Sequence, residues 1–129
     1  MGSYTNFITK ELKLKSETPE SVIKLIDSKV NKQFDFEEKL PDHIFFTLER
    51  WDGMFDTYYW CKEKPYFKHD GKNWKLKIAV DINYGYQEIH EFAKWITPYV
   101  IGHKPKEFIG EAFGEERTRY NIYLERIKP

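Results

Sequence analysis

A chain of 129 residues is long enough to bury one self-sufficient core, and nothing in its length calls for a second domain. Its 21 basic and 21 acidic residues cancel, which argues against a dedicated nucleic-acid binder, and the single Cys61 offers neither a disulfide framework nor a thiolate metal cage. The start lacks a basic segment leading into an apolar one, and no run approaches the roughly 18 apolar residues of a membrane span. The expectation is one cytoplasmic domain over residues 1–129, with an aromatic content of 18% to fill its core.

Residues 7–15, FITKELKLK, read as a strand with Ile8, Leu12 and Leu14 on one face and Thr9, Glu11, Lys13 and Lys15 on the other. In the following SETPESVIKLIDSKVNK, Thr18 suits the N-cap, Pro19 the first helical position and Glu20 the positive end of the helix dipole. Val22, Ile23, Ile26 and Val30 form the apolar stripe, with Lys24, Asp27, Ser28 and Lys32 toward water. Phe34 to Pro41 is a connector, and Asp42 to Arg50 is expected as a short helix capped by Asp42. Phe55 to Cys61 reads as an aromatic strand and Tyr66 to His69 as a short one. Asp70-Gly71 then makes the tight turn into Trp74.

From there Trp74, Leu76, Ile78, Val80 and Ile82 alternate with Lys75, Lys77, Ala79, Asp81 and Asn83, the period of a strand. The period then lengthens. Ile89, Phe92, Ala93, Ile96 and Val100 recur at helical spacing, in a helix expected to start near residues 84–87 and to weaken at Thr97-Pro98. Glu107 to Phe113 and Thr118 to Ile127 make a last hairpin. Two strand-helix units with antiparallel strands between and after them predict an α+β fold. The expected form is an antiparallel-rich sheet with two amphipathic helices on one face, ferredoxin-like β-α-β-β-α-β plus an extra hairpin strand.

The chemistry-bearing residues do not converge in the sequence. His90-Glu91 opens like a zinc-protease motif, but the i+4 place of the second ligand holds the cation Lys94. Asp42 and His43 could pair as acid and base, although a cap is the commoner role for such an aspartate. Cys61 has only Lys62 beside it to favour a thiolate, and Gly110 and Gly114 flank Glu111, the wrong charge for a phosphate cradle. No catalytic residue, metal or cofactor is assigned.

Two surfaces are. Trp51, Tyr58, Tyr59, Trp60 and Tyr66 belong to an aromatic segment whose side chains cannot all share the buried side of an alternating strand. Part of that area is expected at a protein contact, or else under the Phe34–Phe46 connector folded over it. Lys13 and Lys15 of the first strand and Lys75 and Lys77 of the Trp74 strand would lie side by side on the open sheet face. There they could meet the phosphates of a nucleic acid, or simply keep the sheet soluble.

The string Leu40-Pro41-Asp42-His43, followed by Phe45-Phe46, Glu49-Arg50-Trp51 and Tyr58-Tyr59, and then by Glu88-Ile89 through Phe92, Trp95-Ile96, Pro98-Tyr99-Val100 and Phe108-Ile109-Gly110, resembles a family of short uncharacterised proteins of bacteria, their phages and mobile elements. The likeness runs from Leu12 to Leu124 and departs near the end, where Glu111 to Arg117 stands in place of that family's aromatic, basic and acidic run. The resemblance implies a context, an accessory gene product, and brings no catalytic residue with it. The expectation is therefore an accessory protein that binds a protein partner and modulates a host factor. Nucleic-acid binding stands second and a small enzyme with an unrecognised site third. No membrane partner is expected. The oligomeric state stays open, as does whether Trp95 and Tyr99 pack inward or meet a second copy.

Overall fold

The alternating run from Trp74 folds back along the start of the chain, and the rest of the molecule is built on that pairing. A computed structural model describes residues 4–56, 63–83, 85–114 and 119–126. In chain order it places β1 (Tyr4–Thr9), β2 (Leu12–Lys13), α1 (Glu20–Val30), 3-10 turns at Ile44–Thr47 and Trp51–Phe55, β3 (Tyr66–His69), β4 (Trp74–Lys77), β5 (Ala79–Asn83), α2 (Tyr86–Ile96) with a 3-10 turn at Thr97–Tyr99, β6 (Lys106–Gly114) and β7 (Arg119–Glu125). The strands form two sheets, of order β5-β1-β6-β7 and β2-β4-β3, and every described pairing is antiparallel.

The two sheets meet where the β1–β2 and β4–β5 ribbons bend together. Thr9 donates its amide to the Ile78 carbonyl at 2.9 Å, and its hydroxyl accepts the Ile78 amide at 2.9 Å. That bend changes the expected alternation. Phe7 and Thr9 point into the core and Ile8 toward the opposite face, whereas beyond Lys10-Glu11 the even-numbered Leu12 and Leu14 are the buried ones. The Trp74 run keeps Leu76, Ile78, Val80 and Ile82 inside as its period demands.

The fold is mixed α+β with two antiparallel sheets and two α-helices among the described residues. A ferredoxin-like order sets the first strand beside, and antiparallel to, the strand before the second helix, and β1 lies so against β5, Phe7 opposite Val80. The departure is in the strand that follows α1. In a ferredoxin-like sheet it would flank β5, whereas β3 pairs with β4 and, through it, with β2 in a second sheet, which leaves β5 at the end of the four-stranded one among the described residues.

Both helices bury one stripe in a single core. In α1 that stripe is Val22, Leu25 and Ile26, with Ile23 and Val30 only partly covered. Ser28, expected in water, is buried and donates to the Leu25 carbonyl at 2.8 Å, which satisfies its hydroxyl within the helix. Thr18 does not cap. Its hydroxyl donates to the Lys15 carbonyl at 2.7 Å, and Pro19 occupies the cap position without a side-chain bond. In α2, Ile89, Phe92, Ala93, Trp95 and Ile96 are buried, with Phe92 edge-on to Phe7 at 6.3 Å between ring centres. Trp95 and Tyr99 pack inward, their rings 6.1 Å apart.

The connector between α1 and β3 is part of the core. The 3-10 turn at Ile44–Thr47 is capped by His43, whose Nδ1 accepts the Phe45 amide at 3.1 Å. Asp42 stays exposed and does not fill the cap role expected of it. Phe45 is fully buried and touches the rings of Phe46, Trp51, Phe55, Phe92 and Trp95 at 4.9–6.4 Å. Phe55, expected to open a strand, closes the second 3-10 turn instead, and the stretch from Thr57 to Lys62 lies outside the described residues.

Candidate interaction surface on the open sheet face

The side of β5-β1-β6-β7 away from the helices is built by register. Asn6 stands opposite both Asp81 and Phe113, and Phe113 opposite Arg119, so one row crosses all four strands. Ile8 and Glu111 form the next row, with Asn121 beyond them. A bulge between Phe108 and Gly110 then resets β6, so that Phe108, opposite Tyr123, faces the same way as Phe113 although the two are five residues apart. A cleft of about 430 Å³ runs over this face, its lining combining the apolar Ile8, Phe108 and Phe113 with the charged Lys10, Lys77, Arg119, Glu63 and Glu111.

Three aromatic rings on this surface reach solvent: Phe108 is 40% exposed, Phe113 38% and Tyr123 36%, the state expected of a contact surface rather than of a core. Phe108 meets Tyr123 edge-on at 6.0 Å. The Arg119 guanidinium lies 5.5 Å from the Phe113 ring centre and the Lys106 ammonium 4.6 Å from that of Tyr123. The lysines that flank the cleft are already paired. Lys77 reaches Glu63 at 2.9 Å and the Thr9 carbonyl at 2.9 Å, and Lys10 reaches Glu107 at 3.3 Å. The surface is thus aromatic with charges of both signs.

The lysine group expected for nucleic acid divides. Lys13, Lys75 and Lys68 form a row across β2, β4 and β3, with Lys77 opposite Tyr66, while Lys15 lies past the end of β2, where its amide donates to the Tyr99 carbonyl at 2.7 Å. Carboxylates interleave the row. Lys75 lies 3.5 Å from Glu11 and 3.2 Å from Asp70, and Asp70 first and Glu11 next raise its pKa. The Tyr66 hydroxyl donates to Glu11, which lowers the pKa of that carboxylate, while burial first and Glu11 second push Tyr66 up to about 12. Amides of Asn73 and Lys72 donate to Asp70 and hold it well below the usual carboxylate range, closing the turn in which Gly71 takes a φ of +97°.

Of the aromatic group expected at a partner contact, Trp51 is half-buried, wedged on Phe45 and Phe46 with the Lys29 ammonium 5.1 Å from its ring centre. Tyr66 carries the Lys68 ammonium over its ring at 4.5 Å and is tied to Glu11. Tyr58, Tyr59 and Trp60, like Cys61, lie outside the described residues. Asp42 and His43 do not form an acid-base pair at a cleft, since His43 is held by the Phe45 amide. His90 stacks against Tyr86 at 6.1 Å, and His69 accepts the Gly71 amide at 3.0 Å. Among the described residues no three His, Cys, Asp or Glu side chains gather as a metal site would require, and no helix is long and apolar enough to cross a membrane.

Several residues that carry the resemblance meet one another inside the molecule. The buried Glu88 carboxylate on α2 accepts the Arg50 amide at 3.1 Å, and Phe45 and Phe46 close on Trp95. Sequence reasoning missed Phe108, Phe113 and Tyr123. The signal that could have found them is the odd spacing of the two phenylalanines about Ile109-Gly110, where a bulge glycine is at home. The class that fold and surface define is an α+β protein of two antiparallel sheets whose open face carries exposed rings beside cations. No family model, no curated protein and no solved structure matches this chain.

Proposed function

We propose that the chain is a non-catalytic binding module that takes a protein partner on the open face of its four-stranded sheet, in the accessory, phage- or mobile-element-borne context that the resemblance implies. The observation that carries this reading is the joint exposure of Phe108, Phe113 and Tyr123 on one face, with Arg119 and Lys106 laid over two of the rings. Aromatic residues and arginine are the types enriched at protein interfaces and at their energetic centres. A phosphate backbone would ask for cations without partners, and here Lys10, Lys75 and Lys77 each have a carboxylate within 3.5 Å.

The test uses a Phe108→Ser/Phe113→Ser double variant. Both side chains lie outside the core, so the variant should keep its fold by circular dichroism. Expected is that wild type retains a defined protein from a bacterial host lysate and that the double variant loses it, with affinity for the recovered partner down by about a hundredfold. A partner set identical for both proteins overturns the reading. So does tight, salt-sensitive binding of single-stranded oligonucleotides in place of any protein, which would favour the lysine row Lys13, Lys75 and Lys68.

A further inference from the structure

The two sheets leave their outer strands in unequal conditions. β3 is four residues long, and its Phe67 carbonyl accepts the Asn31 side chain at 3.0 Å from the end of α1. β5 packs against the 3-10 turn at Trp51–Phe55, and β7 against α2, where Tyr120 meets Tyr86 on the helix side of the sheet. Among the described residues β7, seven residues long, ends the four-stranded sheet with β6 on one side, and its sequence RYNIYLE holds neither the proline nor the lysine that commonly blunts an edge. A strand in that position offers its outward amides and carbonyls to another strand.

The sequence of β7 also says which strand fits. Set antiparallel to itself about Ile122, it places Arg119 opposite Glu125, Tyr120 opposite Leu124, Asn121 opposite Tyr123 and Ile122 opposite itself. This register pairs all seven residues and keeps like faces together, the inward Ile122 and Leu124 on one side and Asn121 and Tyr123 on the other. It brings opposite charges together at both ends, the arrangement that favours a cross-strand pair. Moving the two-fold axis by a single residue shortens the ladder and puts Arg119 opposite Tyr123 or removes it from the pairing.

We propose that β7 pairs antiparallel with the β7 of a second copy of this chain, joining two four-stranded sheets into one of eight strands with a continuous open face. The reading is independent of what that face binds. Arg119 and Glu125 are six residues apart, roughly 20 Å along a strand, too far to meet within one chain. A charge exchange between them can therefore restore an attraction only across the two-fold axis.

Sedimentation of the purified chain over a concentration series is the test. Expected is a dimer for wild type, at least tenfold weaker association for Arg119→Glu and for Glu125→Arg, and recovery of the wild-type constant in the double variant that carries both. A wild type that stays monomeric overturns the proposal, as do single variants that dimerise unchanged or a double variant no tighter than the singles. Arg119 and Glu125 are exposed, so folding should survive. If circular dichroism shows that a reversal does not fold, Arg119→Gln and Glu125→Gln take its place with the same loss expected. A wild type that stays monomeric and still captures its partner separates failure of this pairing from failure of the binding face, and the Arg119 variants, which alter both, are read for association alone.

Discussion

At Gly110 one missing side chain permits two strands to approach. A Cβ there would stand 2.7 Å from the Thr9 Cα and closer still to the Ile8 carbonyl oxygen, and neither is the yielding end of a side chain. Gly114, at the end of the same strand, has nothing within 4 Å of the corresponding position. Gly110→Ala should therefore destabilise by ~2 kcal/mol, as forced overpacking does, while Gly114→Ala stays within about 0.5 kcal/mol. Urea unfolding of both variants checks this, and equal midpoints would mean that the β1–β6 contact yields. The same scale explains where reading the sequence slipped. Ile8 and Phe108 sit next to a bend and a bulge, and one irregular residue turns every later side chain to the other face.

Among the elements, the connector from α1 to β3 has the least regular structure and some of the most deeply buried rings. Its two 3-10 turns have little helical stability of their own, and they hold because Phe45 and Phe55 are locked against Phe92 of α2. Phe45→Ala should cost about 3–5 kcal/mol, whereas Ile44→Ala, at a position 52% exposed beside it, should cost under about 0.5 kcal/mol. Denaturant titration of the pair distinguishes a core element from a surface loop. If Phe45→Ala unfolds at the wild-type midpoint, the connector is not part of the core. The aromatic surplus from Trp51 onward suggested exposed rings, but Phe55 and Phe67 are buried, and Phe45 and Phe46 of the connector pack on Trp51.

For the whole molecule, the late strands are tied to the exit of α2 by one charged group. Arg126 donates to Glu107 at 2.9 Å, to the Lys104 carbonyl at 2.9 Å and to the Val100 carbonyl at 3.2 Å. The Arg126 hydrogen bond, and then Lys10, hold Glu107 below its ordinary value of 4.5. A carboxyl whose pKa is lower folded than unfolded adds stability above the unfolded value and loses it as pH falls through the folded one. Glu107→Gln should therefore lower the urea midpoint at pH 7 and narrow the gap to wild type below about pH 4. A gap that is constant between pH 7 and pH 3 would exclude the Glu107 charge as the cause.

The sequence alone determined that this is an α+β chain, that the alternating run from Trp74 is extended, although it divides at Ile78 into β4 and β5 of different sheets, that an amphipathic helix starts near residues 84–87 and weakens at Thr97-Pro98, and that two late strands pair. Those features follow from side-chain period, turn chemistry and proline placement, which act within a few residues. Tertiary structure alone decided the division of the strands between two sheets, the entry of Phe45 into the core and the common face of Ile8, Phe108 and Phe113. Each depends on a contact between segments distant in sequence or on a single irregular residue that reverses the count of faces, and local periodicity carries no information about either.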